Sequence, residues 1–386
     1  MPVPERRTLF VTEDAPRLGS GRALRVHGVV RALAQLGPVD VLYPQRGVLE
    51  PGEEYRAMTG VTLHAAAPSR GARRALAYAA TRARGVPDGF ARGVSPELVR
   101  AARRLAATPD RGHVVADGPV CAAALHGLGA RVTYNAHNLE SQLRADIGDM
   151  GSPALLRRFE RRLLARVGES WMVSEADMAG ARELCPGATL RLVPNVVDAE
   201  AISPAPPPAG GPGRVLLLAD WTYPPNVEAG RFLLQEIAPL LRAARPGTVL
   251  VLAGRDAAGA LGLDATAPPP GVELPGFVPD IGPLYATSTC VAVPLLTGGG
   301  SPLKFVEALA HGRTVVATPR GAAGLRGTPG VHYRVADGAA AFAAAVGEVL
   351  AAGGDPAMAT AARELALAEY SITSVVERLR PWATSS

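Results

Sequence analysis

Val293-Pro-Leu-Leu-Thr-Gly-Gly-Gly-Ser-Pro-Leu-Lys-Phe-Val-Glu-Ala-Leu-Ala-His-Gly312 reads as the end of a strand, a glycine turn and the start of a helix. Ser301 is expected to cap that helix, with Pro302 at its first position. Strand, glycine loop and helix in that order make half of a parallel βαβ unit. The next apolar run, TVVAT (314–318), follows at once and completes it. Upstream the same rhythm appears in RVLLLAD (214–220), a helix over 226–244, TVLVLAG (248–254), VELPGF and TCVAVPLL (289–296). Helices are expected over 302–311, 338–351, 356–369 and 371–380.

A second alternating series precedes it. TLFVTE (8–13) reads as a buried strand, and a glycine loop at Leu18-Gly19-Ser20-Gly21 leads into a helix over 22–36. VDVLYP, VTLHAA, HVVAD, ARVTYNA and ESWMVS follow, with helices near 69–84, 97–107 and 153–167 between them. The proline- and glycine-rich segment from Ile202 to Gly213 interrupts both periods and reads as a linker. The expected fold is α/β, two doubly wound domains: 1–201, a linker over 202–213, a second domain over 214–369, and a C-terminal helix over 370–386 packing back toward the first domain. Ligands of such sheets bind beyond the carboxyl ends of the strands, so a central cleft between the domains is the expected site.

Composition narrows the class. At 386 residues, 48% hydrophobic and 19% charged, the chain is neither a disordered tail nor a fibrous repeat. No apolar run is long enough for a membrane span, and the N-terminus lacks the apolar core of a signal peptide. Cys121, Cys185 and Cys290 are odd in number and widely spaced, so buried thiols in a reducing cytoplasm are expected rather than a disulfide or zinc framework. Residues 1–200 carry 27 Arg against 21 Asp and Glu, a net of +6, and the remainder nets −1. That asymmetry leaves open a peripheral contact of the basic half with an anionic surface such as the inner membrane face. The Arg-rich helix 157–166 has Leu156, Phe159, Leu163 and Val167 at helical spacing and reads as a packed surface helix. No nucleic-acid motif is present.

The 40 basic residues include one lysine, Lys304. Where almost every basic position reads Arg, a surviving Lys marks a place that needs a compact ammonium. It lies in the first turn of a helix, where the dipole disfavours a cation unless an anion is bound. Glu307 follows on the same face. The pair fits a nucleotide diphosphate, with Lys304 and backbone N–H groups on phosphate and Glu307 on ribose. The spacing is also that of an ordinary surface ion pair.

These residues resemble the donor site of retaining glycosyltransferases of family 4, the bacterial group 1 type, which have the GT-B fold. Ala219-Asp-Trp-Thr-Tyr-Pro-Pro-Asn-Val-Glu-Ala-Gly230, Leu252-Ala-Gly-Arg-Asp256, Pro275-Gly-Phe-Val-Pro-Asp280, Val193-Pro-Asn-Val-Val-Asp198, Val173-Ser-Glu-Ala-Asp177 and Tyr134-Asn-Ala-His-Asn-Leu-Glu-Ser141 follow that family's order. The resemblance implies a nucleotide-sugar donor substrate, an unidentified hydroxyl acceptor and no cofactor. It assigns the donor to Gly299, Gly300, Ser301, Leu303, Glu307, Arg255, Asn226, Phe277 and Val278, and Lys304 to the diphosphate as a catalytic cation. It makes His137 the active-site histidine, with Asn138 and Glu140 beside it, and Gly19, Ser20 and Gly21 the N-terminal glycine loop. Asn195 and Asp198 are read as a structural turn. The family's first Glu is replaced here by Gly299. No Asp-x-Asp metal motif occurs, so no divalent ion is expected. A nucleotide-sugar epimerase and a non-catalytic sugar-nucleotide-binding protein are the alternative readings. A nicotinamide dehydrogenase fits least, because Leu24 breaks the Gly-x-Gly-x-x-Gly pattern.

Overall fold

A computed structural model describes residues 6–147, 152–204, 208, 210–298 and 301–384. The chain divides into two compact units, Met1–Pro194 with Val375–Ser386, and Asn195–Ser374.

The first unit is built on a seven-stranded parallel sheet among the described residues. Its strands are β1 (Arg7–Val11), β2 (Val39–Pro44), β3 (Val61–Ala66), β4 (Arg111–Asp117), β5 (Val132–Asn135), β6 (Glu169–Met172) and β7 (Leu190–Leu192). They lie in the order β3-β2-β1-β4-β5-β6-β7. The second unit holds β8 (Arg214–Leu218), β9 (Val249–Ala253), β10 (Val272–Gly276), β11 (Cys290–Val293), β12 (Thr314–Ala317) and β13 (Arg334–Val335), ordered β10-β9-β8-β11-β12-β13. Both are the doubly wound arrangement, and both reverse strand order beside their first strand. The central strands are continuous apolar runs because helices cover both faces. Leu9, Phe10 and Val11 of β1 and Val215, Leu216 and Leu217 of β8 are fully buried.

The helices follow the expected periods closely. Gly21–Ala34, Gly71–Ala83, Pro96–Ala106, Pro153–Leu164 and Gly338–Ala351 form where the sequence placed them. In Pro153–Leu164 the residues Leu156, Phe159, Leu163 and Leu164 are buried, so this Arg-rich helix turns its apolar face inward. The short strands β7 and β13 are not revealed by apolar runs, and the helices Gly118–Ala124, Glu140–Ile147 and Glu175–Leu184 are likewise not expected from the sequence.

The division of the chain differs from the expected boundaries. It runs after Pro194, not after 201, because 195–202 is held by the second unit's own groups. Val197 N–H donates to Tyr370 O at 2.9 Å, and Arg363 Nη2 donates to Ile202 O at 2.9 Å. Residues 205–207 and 209 of the expected linker lie outside the described residues. At the other end the helix Ile372–Thr384 carries the chain back to the first unit. There Trp382 Nε1 donates to Thr133 Oγ1 at 2.9 Å, and its ring meets Trp171 edge-on at 4.8 Å and lies tilted against His113 at 4.1 Å.

Trp382 is therefore a core residue of the first unit. Trp382→Ala should destabilise it by about 3–5 kcal/mol, measured as a lower denaturation midpoint.

Candidate active site

Where strand order reverses, the connections leave neighbouring strands toward opposite faces and open a crevice at the carboxyl ends. Each unit has a polar cluster at that place.

In the first unit the crevice lies between β1 and β4. β4 ends in Asp117, which is fully buried. Its Oδ1 accepts from His137 Nε2 at 2.9 Å and from Asn135 Nδ2 at 2.8 Å. Its Oδ2 accepts from Thr12 Oγ1 at 3.3 Å and from Arg22 Nη2 at 3.5 Å. Arg22 also pairs with Glu13. Gly118 follows with φ of +75°, and a Cβ there would stand 3.4 Å from Arg22 Nη2 and 3.5 Å from His137 Cδ2. The left-handed backbone favours glycine here, while a Cβ would meet those side chains only at ordinary contact distance.

Burial raises the Asp117 pKa, but His137, Arg22 and Asn135 outweigh it and hold the carboxyl well below the usual range. His137 is itself pushed down by burial, only partly offset by Asp117. At neutral pH an ionised Asp117 can only accept, so the neutral imidazole carries its proton on Nε2 and keeps Nδ1 as an acceptor. Arg25, one turn after Arg22, is buried among oxygens. Nη1 donates to Val193 O and Pro194 O at 2.9 Å each, and Nη2 to Asn135 Oδ1 at 3.0 Å and Ala136 O at 3.2 Å. Burial pushes Arg25 down to about 10.

The expected residues fall around this cluster. Gly19 has φ of +133°, and Ser20 Oγ caps the helix beginning at Gly21 by accepting from Ala23 N–H at 3.3 Å. That helix carries Arg22 and Arg25, so the glycine loop and His137 meet through Asp117. Asn138 is half-buried. Glu140 is buried, its pKa raised by burial, with Arg144 at 3.6 Å. Asp117, Arg22, Arg25, Thr12 and Asn135 were not singled out from the sequence. The available signal was an acid ending an apolar strand immediately before Gly118-Pro119.

In the second unit the crevice lies between β8 and β11. After β8, Asp220 Oδ1 accepts from Thr222 N–H at 3.1 Å and closes a turn, while buried Trp221 donates to Ala253 O at 2.9 Å. Gly254 makes room for this loop: a Cβ there would lie 1.9 Å from Ala219 O. The turn starts the helix Pro224–Phe232, which presents Asn226. Asn226 Nδ2 donates to Asp220 O at 2.7 Å, which fixes the amide so that Oδ1 accepts from Lys304 Nζ at 2.6 Å. After β11, Thr297 Oγ1 donates to Glu228 Oε2 at 2.5 Å on the same helix.

Lys304 and Glu307 lie on the helix Leu303–Ala310. Burial pushes Lys304 down to about 8, with partial relief from Glu307 and Asp220. Burial pushes Glu307 up to about 7, with partial relief from Lys304. Among the described residues, nothing hydrogen bonds to the Glu307 carboxyl. Leu303 is buried. Arg255 and Phe277 come together, with the guanidinium 5.4 Å from the ring centroid, and Val278 is half-buried beside them in sequence.

Two expectations change at the glycine turn. Ser301 does not cap the helix: the cap position is Pro302, at φ −66° and ψ 118°, and Leu303 is the first helical residue. Ser301 Oγ is instead buried with no partner among the described residues. Its carbonyl accepts from Asn195 Nδ2 at 2.5 Å, so Asn195 ties the glycine loop and is more than a turn residue. Gly299 and Gly300 lie outside the described residues. Among the described residues, no group of three or more His, Cys, Asp or Glu could hold a metal ion, and no helix is long and apolar enough to cross a membrane.

Fold and clusters together define the class: the chain has the GT-B architecture, and residues 213–352 match the family model described as glycosyl transferases group 1. Sucrose-phosphate synthase from Thermosynechococcus elongatus is similar over 98% of both chains, with a TM-score of 0.71 and 16% identity. HepE of Anabaena, in complex with UDP and glucose, has a TM-score of 0.69 and 14% identity over 98% of this chain and 99% of its own. A glycosyltransferase from Rickettsia africae has a TM-score of 0.67 and 12% identity over 99% and 98%. No curated protein sequence matches the chain.

The buried ionisable pair has a stability signature. A carboxyl raised from 4.5 to about 7 on folding loses stability as pH climbs through that window. A lysine lowered from 10.5 to about 8 regains it as pH climbs from 8 to 10.5. The pair therefore costs most between pH 7 and 8. Glu307→Gln should melt higher than the parent at pH 8 and show little difference at pH 4, by differential scanning calorimetry.

In the first unit, Asp117→Asn keeps the shape but removes the charge that holds the His137 proton. The His137 pKa should fall further below its ordinary value, read by NMR titration of the ring Cε1 proton.

Proposed function

We propose that the chain transfers a sugar from a nucleoside diphosphate donor to an acceptor hydroxyl in the cytoplasm, with retention at the anomeric carbon and without a metal ion. The observation that carries this reading is the Lys304–Asn226 contact at the second crevice, with an unpartnered Glu307 one turn away. An ammonium oriented by a fixed amide, at a helix start, is suited to a diphosphate. A buried carboxyl without partners is suited to vicinal ribose hydroxyls. The complex of HepE with UDP makes uridine the first base to test.

Lys304 stabilises the diphosphate as it leaves, where charge develops. The anomeric C–O bond to phosphate breaks, a new C–O bond forms to the acceptor on the same face, and the acceptor proton passes to the leaving phosphate oxygen. His137, neutral and with Nδ1 open, accepts a hydrogen bond from a sugar or acceptor hydroxyl. Arg255 and Phe277 with Val278 are assigned to the base, and Gly299, Gly300 and Ser301 to phosphate. The acceptor is a polysaccharide or lipid-linked glycan intermediate, or a natural product.

Binding of a diphosphate anion should restore the Lys304 proton. UDP affinity, by isothermal titration calorimetry, should therefore fall as pH rises through about 8, approaching tenfold per unit. Lys304→Ala should remove this pH dependence, and Glu307→Ala should weaken UDP by roughly 10- to 150-fold. His137→Ala should lower kcat with UDP affinity kept, and turnover should survive EDTA. UDP, GDP, ADP and dTDP all failing to bind, or pH-independent binding in the parent, would overturn the assignment.

A further inference from the structure

Leu139 opens the helix Glu140–Ile147: its carbonyl accepts from the N–H groups of Gln142 and Leu143, both at 3.0 Å. The N–H groups at a helix start have no partner inside the helix, and a leucine offers no side-chain acceptor to them. Leu139 is also buried, away from solvent.

Two acids from other helices take these N–H groups instead. Asp177 Oδ1 accepts from Leu139 N–H at 2.9 Å, and Glu160 Oε2 accepts from Ser141 N–H at 3.0 Å. Asp177 closes the Val173-Ser-Glu-Ala-Asp177 stretch and starts the helix Glu175–Leu184. Its Oδ2 accepts from Ser174 Oγ at 2.5 Å, and Ser174 Oγ accepts from Asp177 N–H at 3.0 Å, so the carboxylate is held in place. Gly180 lets that helix sit close, since a Cβ there would lie 2.8 Å from Leu139 Cδ2. Glu160 comes from Pro153–Leu164, which Phe159 anchors against Phe90 at 5.6 Å between ring centroids. Both acids are buried. The two residues just before the capped turn are His137 and Asn138.

We propose that Asp177 and Glu160 are positioning residues of the transfer reaction: by holding the N–H groups of Leu139 and Ser141 they set where β5 delivers His137 and Asn138, and the Glu160 hold is firmest when its carboxyl is ionised. This role rests on the assignment of His137 to the transfer step. Glu140 and Tyr134 face Glu160, and Glu140 is itself under the influence of Arg144, Arg22 and Asp177. On the Glu160 helix Arg157, Arg158, Arg161 and Arg162 are exposed. Burial pushes Glu160 up to about 7, with Ser141 pulling the other way and Glu140 adding repulsion. A carboxylate accepts more strongly than a carboxylic acid and suits a helix start, so the hold slackens as pH falls through 7.

NMR of the full chain tests this through the His137 ring Cε1 proton, assigned by its loss in His137→Ala. In the parent it should show an inflection near pH 7 besides its own titration. Glu160→Gln should abolish that inflection, and Glu307→Gln should leave it. Asp177→Ala should displace the resonance, and Asp177→Asn, which keeps an acceptor for Leu139, should restore it. With UDP-glucose as probe, Glu160→Gln should release UDP about tenfold more slowly than the parent at pH 8 and equally fast at pH 6, with UDP affinity kept. Its melting temperature at pH 8 should be no lower than the parent's, because a buried carboxylate is gone. A merely structural cap would instead lower melting temperature and turnover together. No inflection near pH 7, its survival in Glu160→Gln, or an unmoved resonance in Asp177→Ala would overturn the proposal. A parent that neither binds UDP nor turns over UDP-glucose would count against the function proposed above, while the resonance would still decide whether these acids set His137.

Discussion

A parallel sheet whose first strand lies in its middle must send consecutive connections to opposite faces. Neighbouring strands then part at their carboxyl ends, and no side chain from either connection fills the gap. In this chain that gap occurs between β1 and β4 and again between β8 and β11. The polar clusters around Asp117 and Lys304 follow from it. Asp117 is the last residue of β4, His137 follows β5, and the loops after β8 and β11 bring Asn226 and Lys304 within 2.6 Å. The residues are far apart in sequence and become neighbours because strand ends do.

The two gaps treat charge differently. In the first, Asp117 takes four hydrogen bonds and Arg25 gives four to oxygens. Such a network is stable without a ligand, since each buried charge has replaced its lost water. It fixes the His137 tautomer and leaves one ring nitrogen for use. In the second, Ser301 Oγ is buried without a partner among the described residues, the Glu307 carboxyl accepts no hydrogen bond from them, and Lys304 has one acceptor. That arrangement carries a standing desolvation cost, which a ligand offering hydroxyls and an anion relieves. Strain of this kind belongs at a binding site.

Much of this was legible before folding was considered. Long apolar runs alternating with helical periods located most strands and helices, because a buried parallel strand must be apolar throughout. Lys304, Glu307 and Asn226 were legible individually, but their contact was not. Asp117 escaped because a single acid at a strand end looks like any turn residue; its meaning comes from four neighbours, Thr12 just after β1, Asn135 and His137 at the end of β5, and Arg22 on the first helix. Arg25 escaped because an arginine in a helix reads as solvated unless the carbonyls at Val193 and Pro194 are known to lie against it. Ser301 was misplaced by one position: Ser-Pro is a strong cap signal, but here Asn195 holds the Ser301 carbonyl and the helix starts a residue later.

The geometry also explains why one lysine survives among 39 arginines. A buried guanidinium brings five N–H groups that need acceptors. At Arg25 the fold supplies four, and Nε still lacks a partner. At Lys304 the described residues supply one acceptor, Asn226 Oδ1. An arginine there would leave several N–H groups unpaired in the unliganded protein, at about 1–3 kcal/mol each. It would also place a planar fork where the helix allows a single point contact. An ammonium has three donors that rotate freely, and its pKa, pushed down to about 8, lets it lose charge just above neutrality and regain it when an anion arrives. Arginine, which stays charged well above neutrality even where burial lowers it at Arg25, has no such release. The composition bias toward arginine therefore stops at the position where burial, sparse acceptors and an incoming anion coincide.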